Sequence, residues 1–277
     1  MKRLTILLGI LAVAGWAIEA RGDAWKNDAV WHDGLVEKAV YSASRVVYGK
    51  PRPYTAVFFT NKEQHDAQTM TKADKSKETI EVWKHNQVEN IPTPNYTYHY
   101  VTTSHLTVDR LELTRMDCSS QEFCGTSFKQ YLGKATKSGA GWTIEGWNYW
   151  SFSYMPEAGR KTATVTKGDR PVVAENSLPI YLRDFDFGAK GEKGVALLPS
   201  QKSNRATAPE PIAATLKYAG EEDGAYKIEL VTENAVRATY WMAKDRLHVM
   251  LKYAGPEGQT YELKEVSRVN YWTIKGE

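Results

Sequence analysis

From Gly34 onward, apolar and polar residues alternate with a period of two, and the alternation is interrupted by Gly, Pro, Asn and Asp; this is the pattern of antiparallel strands joined by turns. Residues 225–272 carry it most clearly. Tyr226, Ile228 and Leu230 share one side of a strand and Lys227 and Glu229 the other, and the alternation resumes at 239–242, 247–251 and 261–263. The polar segments between these runs (232–234, 243–246 and 254–258) suit hairpin connections and predict a four- or five-stranded meander. The amino-terminal half reads the same way. Residues 36–47 and 55–60 form a hairpin about a turn at 48–53, whose Pro51 and Pro53 cannot donate to a ladder. Further strands follow at 95–108, 111–116 and 142–154.

Strands this long imply a strongly curved sheet, because a flat one would expose its edges and an apolar face. The expected fold is therefore all-β with minor α: one antiparallel sheet bent into a half-barrel or incomplete barrel. A single short helix is expected over 178–184, capped by a side-chain oxygen of Asn176 or Ser177. Residues 65–77 and 200–211 lack periodicity and read as surface excursions.

The first two dozen residues differ from the rest. Lys2 and Arg3 precede an apolar run over 4–14, and small residues follow at Gly15, Ala17, Ala20 and Gly22, as in a secretory signal peptide. Three cleavage positions are open, after Ala17, Gly22 or Ala24, so residues 1–20 are assigned to the signal and 21–277 to one large β domain, with a mature start between Ile18 and Trp25. The apolar run is too short to span a bilayer comfortably. No cysteine follows it, so no thiol is placed for lipid attachment, and a bacterial periplasmic or secreted location is expected.

The formal charge of +3 falls to +1 once Lys2 and Arg3 are removed, which gives no electrostatic basis for binding nucleic acid. Catalytic patterns are equally sparse. Cys124 lies beside Glu122, whose charge opposes a thiolate, and Ser119 and Ser120 lack the turn that exposes a hydrolase nucleophile. His99 and His105 would share a strand face but stand about 20 Å apart, too far for one ion, so no metal site is predicted. Asp184 and Asp186 would lie about 6.6 Å apart if extended, within reach of a glycosidase pair, although such pairs are common on solvated strands. No phosphate-binding loop is present, and no cofactor is expected.

What remains is aromatic. With 16 Tyr, 9 Trp and 7 Phe, the chain has more rings than an ordinary core needs. Tyr98, Trp142, Trp147, Tyr149 and Trp150 are the candidate ligand-binding residues, able to line an apolar cavity or to stack on sugars; simple packing under a loop or across a second sheet is the plainer reading of the same residues. Cys118 and Cys124 are a candidate disulfide in an oxidising compartment.

Several fragments together carry a resemblance: Trp31-His-Asp-Gly34 with Glu37 and Tyr41; Tyr48-Gly-Lys-Pro-Arg52 followed by 55–60; the segment from Ser119 through Ser120, Gln121, Glu122 and Cys124 to Gly125; and Arg268-Val-Asn-Tyr-Trp272. They resemble an uncharacterised family of exported bacterial proteins. Its members usually keep the equivalent of Cys124 without Cys118, which makes the disulfide peculiar to this chain. The family implies no activity, and the 120–124 motif has no assigned role. The strand rhythm from Tyr240 to Trp272 is also similar to that of the carriers of outer-membrane lipoproteins, which implies a half-barrel around an apolar cavity. The resulting expectation is a non-enzymatic protein binding an apolar or amphiphilic partner, a lipid or an acylated envelope protein. The alternatives are a carbohydrate-binding or glycan-cleaving protein and a structural partner in an envelope assembly.

Overall fold

The computed structural model describes residues 25–73, 78–139, 141–205, 209–270 and 272; the signal peptide assigned above lies outside them. Alternation is realised as strands almost throughout. The first eight are β1 (Val36–Val47), β2 (Lys50–Asp66), β3 (Thr79–Pro92), β4 (Thr97–Thr107), β5 (Leu113–Glu122), β6 (Gly125–Ser138), β7 (Gly141–Ser153) and β8 (Gly159–Thr166). A three-residue strand, β9 (Val172–Ala174), precedes the helical segment. Six more follow it: β10 (Glu192–Leu198), β11 (Ile212–Glu222), β12 (Ala225–Thr232), β13 (Ala235–Ala243), β14 (Met250–Ala254) and β15 (Thr260–Val269).

All fifteen strands belong to one sheet, in the order β8 to β1, then β15 down to β9. The chain thus runs as two meanders joined where β1 pairs with β15, and β8 and β9, consecutive in the chain, form the two edges. Among the described residues, only β9 and β10 pair in parallel. The sheet is strongly curved but not closed. Register irregularities in six pairings add twist, one of them between Val40 and Tyr41. Glycines permit tight bending at two points: a Cβ on Gly133 or Gly146 would meet the carbonyl oxygen of Thr114 or Val165 at 2.6 Å. The bend brings the ends together, since Trp147 and Val165 share one core cluster with Val172, Ala174 and Leu198.

The predicted six-residue turn at 48–53 is shorter in fact. Tyr48 and Gly49 alone make it, with φ of 53° and 72°, as a two-residue hairpin with positive φ at both central positions requires. Pro51 and Pro53 lie within β2, whose pairing with β3 begins only at Ala56; on that side the missing donors have no ladder to serve. Likewise Glu233 and Asn234, with φ of 49° and 62°, close the β12–β13 hairpin. The meander predicted over 225–272 is β12 to β15.

The hollow of the sheet is filled by the chain itself. A 3-10 turn (Glu175–Ser177), the helix α1 (Leu178–Tyr181) and a second 3-10 turn (Leu182–Asp184) form the expected helical segment, and its apolar residues are buried against β1, β2 and β12–β14. The expected side-chain cap is not there. The Asn176 amide instead donates to Ser200 Oγ and its oxygen accepts from the Gln201 N–H, while Ser177 Oγ donates to the Ala174 carbonyl. Glu37 of β1 anchors the segment through a bidentate pair with Arg183, at 3.0 and 2.5 Å, both side chains 3% exposed.

The expected excursion at 200–211 is corrected over residues 200–204, while Arg205 and Glu210 are exposed as expected and 206–208 lie outside the described residues. Gln201 is fully buried and Lys202 is 7% exposed, because residues 199–204 enter the hollow against β3 to β7. An irregular segment there needs partners for its backbone polar groups. The inward faces of those strands supply them: Cys118 Sγ and Lys129 Nζ donate to the Gln201 carbonyl, Lys129 also to that of Ser203, and Ser153 Oγ to that of Asn204. Tyr149 hydroxyl donates to Gln201 Oε1. Burial pushes Lys129 down to about 8. The interior therefore has an apolar half facing α1 and a polar half facing the 199–204 plug.

Candidate functional site

Between the two inserted segments and the β13–β15 wall lies a cavity of about 230 Å³. One side is aromatic and apolar, formed by Tyr240, Tyr253, Tyr261 and Met250. Tyr253 and Tyr261 stack with centroids 5.3 Å apart, and Tyr240 tilts against Tyr253 at 5.0 Å. These rings stand in successive positions across three paired strands, Tyr240 opposite Tyr253 and Tyr253 opposite Tyr261, so the sheet register alone builds the shelf.

The other side is charged. Lys202 pairs with Glu89 at 2.5 Å, both side chains nearly inaccessible, and donates to the Tyr261 hydroxyl at 2.6 Å. Glu89 also accepts from the Tyr54 and Tyr261 hydroxyls at 2.6 and 2.9 Å, and Gln259 donates to Tyr261 at 2.7 Å. Arg237 forks onto Glu175 at 2.9 and 3.0 Å, and Arg45 pairs with Glu257 at the mouth. Burial, and then the Glu89 charge, hold the Tyr261 hydroxyl far above its ordinary range, so it stays protonated. Each of these cations is matched to a carboxylate. The arrangement offers fixed donors, acceptors and a ring shelf rather than a nucleophile paired with a base.

The aromatic residues singled out from sequence do not converge here. Tyr98 is buried on the inward face of β4 near one rim, T-shaped against Tyr48 and Tyr100. Trp142 is half-buried at the start of β7 under Lys137, beside a separate cleft. Trp147 is fully buried and donates its indole N–H to the Leu113 carbonyl. Tyr149 holds Gln201, and Trp150, on the opposite face, packs on Phe128 and beneath Arg160.

In the 120–124 motif, Ser120 hydrogen-bonds Ser127, Gln121 is exposed, and Glu122 accepts from the Tyr154 hydroxyl. Cys118 and Cys124 are not bonded to each other, which corrects the candidate disulfide. Glu122 pairs with Gly125, so Cys124 sits in a two-residue hairpin tip, while Cys118 lies four residues back along the strand, about 13 Å from Glu122, pointing into the hollow. The Asp184/Asp186 pair also separates. Asp184 binds Lys26 and the Trp25 indole at the end of the helical segment, while Asp186 caps the Ala189 N–H.

Sequence reasoning missed Arg45, Glu89, Lys202, Arg237 and Tyr261. One signal was available: His85, Gln87 and Glu89 occupy inward positions of β3 in line with Trp83 and Ile91, where an apolar cavity would call for apolar side chains.

No family model matches this chain, and no curated protein does. Among solved structures, it is similar to a beta-barrel-like protein of a domain of unknown function, DUF1849, from Brucella abortus. The identity is 8% over 85% of this chain and 98% of that one, with a TM-score of 0.46.

Proposed function

We propose that this chain is an exported, non-enzymatic binding protein whose cavity takes the polar end of an amphiphilic ligand. The observation that carries the reading is the division of the cavity wall, with tyrosines and Met250 on one side and paired charges with Gln259 on the other. Size narrows the ligand. About 230 Å³ is below the roughly 300–1,000 Å³ of pockets for drug-sized molecules, so a headgroup-sized, hydroxyl-bearing moiety fits and a complete lipid does not. Any acyl chain would remain at the mouth, near Arg45 and Glu257. Export is supported by the amino-terminal pattern, and the lipoprotein-carrier rhythm agrees with an amphiphilic partner.

Native mass spectrometry of protein purified from a bacterial envelope extract tests the reading. A small amphiphile should co-purify and be displaced in a Met250→Trp variant, whose larger ring occupies the cavity from the wall. Repeated absence of any adduct, or equal retention by the variant, would overturn it. A second reading, recognition of a single sugar unit, is favoured specifically by the stacked Tyr253 and Tyr261, since rings of this kind present a flat face with polar edges. A glycan array would then show binding that Met250→Trp abolishes.

A further inference from the structure

On the face of the sheet opposite the plug, β2 and β4 bring together three side chains that the cavity does not use. Glu63 and His65 stand two residues apart on β2 and so share a face; His105 comes from β4, two strands over. One ring nitrogen from each histidine and a Glu63 carboxylate oxygen all lie within 4.8 Å of one another. We propose that Glu63, His65 and His105 form a binding site for one divalent ion of the zinc class.

The donor set fits. Two imidazoles and a carboxylate are a recurrent three-ligand combination for zinc, leaving a fourth tetrahedral position for water or another ligand. His65 Nε2 is 3.7 Å from Glu63 Oε2, too long for a good hydrogen bond but close to the separation of two donors each about 2.1 Å from a tetrahedral ion. Both histidines are more than nine-tenths buried, and Nδ1 of each has no hydrogen-bond partner among the described residues, which is costly for a polar atom out of water. Burial also keeps the His105 ring unprotonated at neutral pH, the form that offers a lone pair.

The surroundings orient the ligands. Lys84 takes the other Glu63 oxygen at 3.1 Å, leaving Oε2 facing His65, as hydrogen-bonded carboxylate ligands are commonly held. Arg115 is engaged by Asp117 at 2.6 Å and by the Met70 carbonyl at 3.2 Å. Of the residues that follow β2, Ala67 and Met70 are buried with Ile80 and Val82, and Lys72 bridges to His65 through the backbone. An ion here would tie β2 to β4.

The test uses the untagged full chain, stripped with EDTA, dialysed, and titrated with Zn(II) against a chromophoric chelator. One equivalent should bind, weakened at least 100-fold in His65→Ala/His105→Ala and at least tenfold in Glu63→Gln, with His99→Ala unchanged. Co(II) gives a readout on the unaltered chain that does not depend on the double variant folding: intense visible d–d bands should saturate at one equivalent and vanish in His65→Gln. No stoichiometric Zn(II) binding, no Co(II) bands, or undiminished affinity in a double variant with native circular dichroism would overturn the proposal.

Discussion

Replacing Glu37 by Gln tests how the interior is held. Glu37 and Arg183 join β1 to the helical segment with both side chains 3% exposed, and Arg183 also lies 5.8 Å from the Trp25 and Trp31 ring centroids. At 3.0 Å and an effective dielectric of 20, the pair attraction is about 5 kcal/mol. Removing one partner strands a buried guanidinium, for which a loss of about 3–5 kcal/mol is typical. For a chain of this size, that corresponds to a melting temperature lower by about 6–20 °C. Urea unfolding of the wild type, Glu37→Gln, Arg183→Met and the double variant completes a double-mutant cycle. The double variant should be markedly more stable than the sum of the single losses predicts, since no lone buried charge remains. A Glu37→Gln cost below about 1 kcal/mol, or strict additivity in the cycle, would refute the idea that this pair pins the segment inside the sheet.

Other expectations follow from the same interior. Lys202→Met removes the cation facing Glu89 and should also cost about 3–5 kcal/mol, read by urea unfolding; a loss within experimental error would place Lys202 in solvent. In native protein, Ellman's reagent should modify exposed Cys124 quickly and buried Cys118 only at the rate of unfolding, giving one fast thiol and one slow; two fast thiols, or none, would contradict the burial described. In the metal-free chain, burial pushes His85 and His105 down to about 3 from an unfolded value near 6.5. Between these values the unfolded chain carries two more protons than the folded one, so stability should fall with pH below about 6.5, by about 3 kcal/mol per pH unit across the middle of the window. A flat profile between pH 6.5 and 4 would count against neutral burial of both rings.

The architecture was legible because a half-buried sheet writes its period into the sequence. Tyr226, Ile228 and Leu230 alternate with Lys227 and Glu229, and the carboxyl-terminal meander appears with its hairpin at Glu233 and Asn234 where expected. The helical segment was legible from Asn176-Ser177-Leu178-Pro179. What fills the hollow was not. Residues 199–204 are as polar as a surface loop, and they enter the hollow, with Gln201 and Lys202 buried, only because Cys118, Lys129, Ser153 and Tyr149, distant in sequence, point at their backbone and side chains. Local composition cannot report partners from three other strands.

The same limit governs the two sites. Tyr240, Tyr253 and Tyr261 become neighbours only through strand register, and His105 finds its partner in His65, two strands away, rather than in His99 on its own strand. The aromatic cluster at 142–154 drew attention by density, yet β7 distributes it over both faces and more than 20 Å of length. Density in sequence is a weak guide to convergence in a strand, because neighbours there point apart.

The curved sheet is stoppered by its own chain, which leaves a small two-sided cavity rather than an open apolar trough. Amide hydrogen exchange at Gln201 tests it most directly, because that N–H donates to Asn176 Oδ1 at 3.0 Å inside the hollow. Protection approaching that of the Tyr240 and Leu216 amides in the sheet is the predicted result. Exchange at the rate of an unstructured peptide would mean that residues 199–204 lie outside and that the hollow is open.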